Sequence, residues 1–157
     1  MKRWIVPVFL FLAGTAVLQA DSAERRMFLE AEGRFSSGEY AIALARYTDF
    51  VDTHPHSDLA ADAQFRRAQC LYRLGQREEA LSLFKRVSAR YGATRYRTYI
   101  PFWMGVIQYE LDSFGDAVSS IDSFLASPES SFVPKALLYK GMSLYRLGRT
   151  EESLPVL

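Results

Sequence analysis

The segment LYRLGQREEAL, Leu71 to Leu81, returns as LYRLGRTEESL, Leu144 to Leu154, identical at eight of eleven positions. Half the offset from Leu71 to Leu144 leads to a degenerate copy, QYELDSFGDAV from Gln108 to Val118, and one further step toward the N-terminus to RFSSGEYAIAL, Arg34 to Leu44. Ala43, Ala80, Ala117 and Ser153 therefore follow one another at intervals of 37, 37 and 36. A fixed period of about 20 to 50 residues belongs to solenoids and arrays, in which each unit buries its apolar face only against its neighbours.

Each copy has the grammar of two antiparallel helices, with apolar residues at three- and four-residue steps on either side of a short polar break. In the second copy the first helix carries Ala63, Phe65, Ala68, Leu71, Tyr72 and Leu74, and the second carries Ala80, Leu81, Phe84 and Val87. Gly75 stands at the break, and Gly38 and Gly148 hold the same place, where a helix that ends in a left-handed residue favours glycine. The third copy has Asp112 there, which tolerates that conformation better than most residues. Pro55 and Pro128 precede Ala63 and Ala136 by eight residues each, with Ser57 and Ser131 placed as caps between them. Pro101 and Pro134 fall in first turns, where a missing N–H interrupts nothing. The pattern predicts helices at about 23–36, 39–53, 58–74, 77–91, 98–111, 114–126, 131–147 and 150–157, and no strand. Ala43, Ala80 and Ala117 are expected where two helices approach closely, with Tyr47, Phe84 and Ile121 filling the space beside them.

The small–aromatic pairs Ala43 with Tyr47 and Ala80 with Phe84, the glycines at the breaks and the closing Pro55 resemble the tetratricopeptide repeat, whose pattern places A-x-x-x-F in the second helix and a proline at its end. The resemblance covers about three and a half copies, near residues 24–60, 61–97, 98–133 and 134–157. The chain departs from it at Ile121 and Leu157, where an aromatic is expected, at Ser153 for the alanine and at Gly92 for the closing proline. The resemblance implies an all-α, right-handed superhelical stack of antiparallel helix pairs whose first helices line an inner curve. Together with the P-x-S turn of Pro55, His56 and Ser57, it is similar to envelope proteins of bacteria such as those serving the Tol–Pal system and the β-barrel assembly machine.

Residues 1–20 read as an export signal: Lys2 and Arg3, an apolar run from Trp4 to Leu18, and Ala20 at a cleavage position. A periplasmic location is expected for residues 21–157, the alternative being an uncleaved anchor that holds them at the membrane. No cysteine follows the apolar run, so lipid attachment is not expected. Without residues 1–20 the chain has 17 basic against 18 acidic residues, a balance with no global field for nucleic acid. The sole cysteine, Cys70, has no internal partner and sits in an apolar helical pattern, so it reads as a small buried thiol.

Charge alternates between copies: −3 over 24–60, +6 over 61–97, −5 over 98–133 and +2 over 134–157, which favours stacking in order. On the first helices Phe35, Tyr72, Tyr109 and Tyr145 occupy one equivalent place, and Phe28, Phe65, Phe102 and Leu138 another. Two readings stay open. Both stripes are packing residues, or Phe35, Phe65, Tyr72, Phe102, Tyr109 and Tyr145 face a peptide or partner helix, with Arg73 and Arg146 beside them for carboxylates. His54 and His56 lie in a turn with no further His or Cys ligand near, so no metal is expected. The chain has no glycine-rich phosphate loop, no nucleophile motif and no H-E-x-x-H, and neither a cofactor nor a small-molecule substrate is expected. Glu78 with Glu79 and Glu151 with Glu152 open second helices, where negative charge suits the helix dipole. A non-catalytic scaffold for protein or peptide partners in the cell envelope follows. The alternative is a targeting module of a larger enzyme, since the sequence stops at Leu157 just where an apolar helix face begins.

Overall fold

The computed structural model describes residues 9–90, 94–126 and 131–154, with side chains from residue 23 onward. Lys2, Arg3 and Trp4 of the export signal, Gly92, Pro128, Pro155 and Leu157 lie outside the described residues. Eight α-helices follow in order: α1 Phe9–Ser36, α2 Tyr40–Thr53, α3 Ala60–Arg73, α4 Arg77–Arg90, α5 Ile100–Glu110, α6 Phe114–Leu125, α7 Val133–Arg146 and α8 Thr150–Ser153. A 3₁₀ turn, Arg97–Tyr99, leads into α5. Each helix packs against the next in sequence, and no strand occurs among the described residues.

All four hairpin breaks are built alike, because the first helices of the four pairs end in the same hydrogen-bond pattern. The Gly75 N–H donates to the Tyr72 carbonyl at 3.0 Å and the Gln76 N–H to the Leu71 carbonyl at 2.9 Å, the paired bonds of a Schellman end. Gly38 and Glu39, Asp112 and Ser113, and Gly148 and Arg149 repeat the two bonds at distances between 2.8 and 3.1 Å. The residue that makes the turn has φ of 77° at Gly38, 82° at Gly75, 75° at Gly148 and 58° at Asp112. Pro101 and Pro134 occupy first turns of α5 and α7. Ser57 accepts the Leu59 N–H at 3.0 Å ahead of α3, and Thr94, one repeat on, accepts the Tyr96 N–H at 3.2 Å.

The helices of a pair cross at small residues. Ala43, Ala80, Ala117 and Ser153 are buried on second helices, and Ala31, Ala68, Gly105 and Gly141 form a matching buried column on first helices. At Gly105 the approach is closest: a Cβ there would lie 2.5 Å from Cγ1 of Ile121 and 3.2 Å from the Ala117 carbonyl oxygen. Tyr47, Phe84 and Ile121 fill the space alongside, each fully buried. The apolar clusters around Phe50, Phe84 and Phe102 then run from one pair to the next, so burial is shared along the stack.

One boundary differs from the periodic reading. The first helix begins at Phe9 and not near residue 23, as 28 residues without an internal proline continue one helix. No helix among the described residues is long and apolar enough to cross a membrane. At the other end the described part of α8 is Thr150–Ser153, and Leu154 after it keeps helical dihedrals, φ −58° and ψ −45°.

Candidate partner-binding groove

The first helices α1, α3, α5 and α7 carry the residues that face the inner curve, and two columns of that face behave differently. Phe65 and Phe102 are each 1% exposed. They are covered from the turn that leads into the next first helix: Tyr96 stacks on Phe65 at 4.4 Å and 11°, and Phe132 lies on Phe102 at 4.8 Å. Phe28 is buried with Leu59 packed against its cluster. Leu59, Tyr96 and Phe132 follow at intervals of 37 and 36, a covering column that the periodic reading does not assign. Phe65 and Phe102 are therefore corrected from exposed partner-facing candidates to core, since Tyr96 and Phe132 cover them. Leu138, with no such cover among the described residues, is 48% exposed.

The other column straddles the joints between pairs. Phe35 carries the Arg66 guanidinium on its ring at 4.7 Å, Tyr72 meets Trp103 edge-on at 5.4 Å, and Tyr109 meets Tyr139 at 5.3 Å. Each of these partners belongs to the next pair along the stack. Tyr72 also donates its hydroxyl to Glu110 at 2.7 Å, and its pKa is raised by burial first and by that carboxylate second. Phe35, Tyr72 and Tyr109 are half-buried, whereas Tyr145 is 63% exposed. Arg73 and Arg146 stand apart from this column, exposed, with Arg73 over the Tyr40 ring at 5.7 Å and Arg146 over the Phe114 ring at 4.6 Å, both on second helices.

Between the joints the inner face holds two cavities. One, about 330 Å³, has a floor of Phe28, Leu29 and Leu59 and a rim of Arg25, Glu32 and Arg95. The other, about 240 Å³, is walled by Phe65, Tyr96, Tyr99, Trp103 and Phe132, with Arg66 and Gln69 at its edge. Phe28, Leu29, Glu32 and Leu59 stand one repeat before Phe65, Arg66, Gln69 and Tyr96, so the same positions of successive repeats shape both.

Arg66 holds the partition between the cavities. Its Nε donates to Glu32 at 2.7 Å and its Nη2 to the other carboxylate oxygen at 3.0 Å, while its Nη1 reaches Gln69 at 2.9 Å. The guanidinium lies between the rings of Phe35 and Tyr96, at 4.7 and 4.9 Å. Tyr47 donates its hydroxyl to the same Glu32, and burial first, then that bond, raises the phenol pKa. Burial works against the Arg66 charge, but the Glu32 hydrogen bond and charge outweigh it and the pKa is raised. Arg95 pairs with Asp62 at 2.7 Å, with Thr94 donating to the other Asp62 oxygen at 2.6 Å. Sequence alone marks none of Arg66, Glu32 and Trp103 as a site residue, and it reaches Arg95 only as part of the arginine-rich turn from Arg86 to Arg97, whose charge suits an acidic partner. A signal is present in the repeat-spaced column Leu29, Arg66, Trp103, but its chemistry changes at every step.

Ion pairs cross the joints as the alternating charge implies. Glu32 with Arg66, Glu110 with Arg77 at 2.6 Å, Asp122 with Lys140 at 2.6 Å and Asp112 with Arg146 at 3.3 Å each set an acid of an acidic copy against a base of the neighbouring basic copy. Cys70 is buried and its thiol is pushed up to about 12 by desolvation.

A stack of helix pairs with glycine-turned ends, small residues at its crossings and a furrowed inner face is the architecture of a repeat scaffold that grips other macromolecules. Residues 28–93 match the family model described as tetratricopeptide repeat. No curated protein matches the sequence. Among solved structures it is similar to MamA residues 41 to the end from Desulfovibrio magneticus RS-1, with a TM-score of 0.71 at 14% identity over 85% of this chain and 71% of that one. A tetratricopeptide repeat protein from Parabacteroides merdae ATCC 43184 gives 0.71 at 14% identity, covering 87% and 52%. The repeats of a putative kinesin light chain from Podosopora anserina give 0.67 at 14%, covering 86% and 72%. At such identities the likeness is one of fold, the all-α right-handed solenoid of helix pairs.

Proposed function

We propose that this chain is an exported, non-catalytic scaffold that gathers protein or peptide partners on its inner curve within the bacterial cell envelope, in envelope assembly or maintenance. The tetratricopeptide fold supplies a protein-interaction scaffold. The observation that carries the rest of the partner reading is the pair of repeat-related cavities between α1, α3 and α5, bordered by half-exposed aromatic rings. Aromatic surface of this kind contributes large contact area at low entropic cost, which suits it to peptide capture. The export reading rests on Lys2 and Arg3 ahead of the apolar run from Trp4 to Leu18. Crosslinking in intact cell envelopes, followed by identification of the captured proteins, tests both parts. Envelope proteins are the expected catch, lost on Trp103→Ala with Tyr99→Ala; recovery of cytosolic proteins alone overturns the location.

A further inference from the structure

We infer that a small cavity between α3 and α4, walled by Gln64, Arg86 and Arg90, binds a phosphate group, as inorganic phosphate or as a phosphate monoester. The site shares no lining residue with the two inner-face cavities, so it stands apart from the partner reading above.

The cavity exists because one position of the repeat is smaller in this copy. Val87 stands where the copies on either side have Phe50 and Phe124, both buried, and Leu83 and Val87 floor a space of about 50 Å³. That is several times the roughly 10 to 15 Å³ a single water needs and far below the roughly 300 Å³ at which sites for whole drug-sized molecules begin, so a compact group fits it. The polar side chains on its wall offer donors. Arg67 donates to the Gln64 side-chain oxygen at 3.0 Å, which leaves the Gln64 amide nitrogen for the cavity. Among the described residues no acceptor meets that nitrogen or either guanidinium.

Charge sets the chemistry of the ligand. Arg86 and Arg90 are one turn apart on the exposed side of α4, where like charges repel, and Lys85 adds a third base beside them. The acids of α4, Glu78 and Glu79, lie at its opposite end, and no acid occurs from Ala80 to Tyr109. An anion is therefore the missing partner. A carboxylate brings one charge and two oxygens in a plane, whereas a phosphate monoester brings a charge of about −1.5 to −2 and three acceptor oxygens. Two guanidinium forks and an amide, arriving from two helices, match the second. The equivalent positions of the neighbouring copies, Met27, Asp49 and Thr53 before it and Pro101 and Ser123 after it, hold no such set, so the packing of the repeat does not account for these donors.

The test titrates the full chain with inorganic phosphate at constant ionic strength and follows the Gln64 side-chain amide and the Nε–H groups of Arg86 and Arg90 by nuclear magnetic resonance. Saturable shifts of all three are expected, with an apparent Kd at least tenfold below that of acetate. Arg86→Gln with Arg90→Gln, both at exposed positions, is expected to weaken phosphate binding at least tenfold. Val87→Phe introduces the residue of the flanking copies, keeps both arginines and is expected to abolish the saturable shifts, which diffuse attraction to a basic surface does not predict. Acetate binding as tight as that of phosphate, shifts that rise without saturating, or a folded Val87→Phe chain that binds like the parent overturns the inference. Co-sedimentation with phosphatidylcholine vesicles, with and without phosphatidic acid, then separates the sources. A gain that depends on phosphatidic acid and that free phosphate competes away assigns the site to a lipid headgroup; phosphate binding without that gain assigns it to a soluble phosphate. Either vesicle result supports the site and names its source.

Discussion

Glu32 accepts two hydrogen bonds from the guanidinium of Arg66, 2.7 Å from Nε and 3.0 Å from Nη2, and so ties α1 to α3 across the first joint of the stack. The two side chains are 22% and 19% exposed, so solvent screens the pair only in part. Replacing the carboxylate by an amide leaves a largely enclosed guanidinium without its counter-charge, with one carbonyl oxygen left for Arg66 and Tyr47 to share. Glu32→Gln is expected to cost about 2 kcal/mol, below the roughly 3 to 5 kcal/mol of breaking a fully buried pair because both side chains keep some exposure. A double-mutant cycle with Arg66→Gln, read by urea denaturation, is expected to return about 1 to 2 kcal/mol of coupling. Arg66→Lys does not restore it, because an ammonium lacks the two-pronged geometry. Coupling near zero would show that the joint is held by ring packing alone.

The crossing of α5 and α6 has no room for one more carbon. Alanine in place of Gly105 gains up to about 1 kcal/mol of helix propensity. Its Cβ, however, meets Cγ1 of Ile121 at 2.5 Å and backbone oxygen at 3.2 Å, neither the far end of a flexible side chain. Overpacking of this sort costs about 1 to 3 kcal/mol, so a net loss of about 1 kcal/mol is expected from Gly105→Ala. Ala80→Phe, at the equivalent crossing of α3 and α4, is expected to lose more, about 3 kcal/mol. Thermal melting checks both, and an unchanged midpoint in either removes the close-crossing assignment.

Sequence periodicity reveals the parts of this fold that are local and recur. The turns at Gly38, Gly75, Gly148 and Asp112 depend on one residue's conformation and appear in every copy, so one misfit does not hide the register. The same holds for Ala43, Ala80 and Ala117. The groove is harder to see, because its residues meet across the joints and are chemically unlike from copy to copy. Glu32 and Arg66 lie in successive copies and correspond by repeat to Gln69 and Trp103, so no pattern marks them as a pair. Phe65 and Phe102 read as a surface stripe only so long as Tyr96 and Phe132 have no place over them. The position of the Arg73 and Arg146 side chains over second-helix rings depends equally on contacts outside their own helix.

Cys70 reports on the integrity of α3. Burial raises its thiol from the ordinary 9.0 to about 12, so the folded state holds the proton over a range in which the unfolded chain releases it. The sign follows: the stabilising contribution is complete below about pH 9 and declines as pH rises from there toward about 12. Wild-type protein is expected to lose more stability between about pH 8 and about pH 10.5 than Cys70→Ala, even though the alanine variant starts lower because of its cavity. Urea midpoints at the two pH values measure the slope difference. The thiol is also expected to resist a disulfide-exchange reagent until urea opens the fold; prompt reaction of native protein contradicts its burial.

Asp112 is the one hairpin turn among the described four without glycine, and its φ of 58° places a Cβ where L residues crowd the following carbonyl. Glycine removes that conflict, for a gain of about 1 kcal/mol that is offset in part by its greater freedom when unfolded. It also removes the pair with Arg146 at 3.3 Å, but those side chains are 77% and 51% exposed, and pairs of that kind contribute little. Asp112→Gly is therefore expected to stabilise by about 0.5 kcal/mol, and by more at high salt, where the lost pair is screened in the parent as well. Asp112→Ala keeps the Cβ without the local hydrogen bonding that lets aspartate tolerate this region, and is expected to destabilise by about 1 kcal/mol. Melting midpoints ordered glycine, aspartate, alanine from highest to lowest support this account. If alanine at this position proves as stable as glycine, the turn is not limited by its backbone conformation.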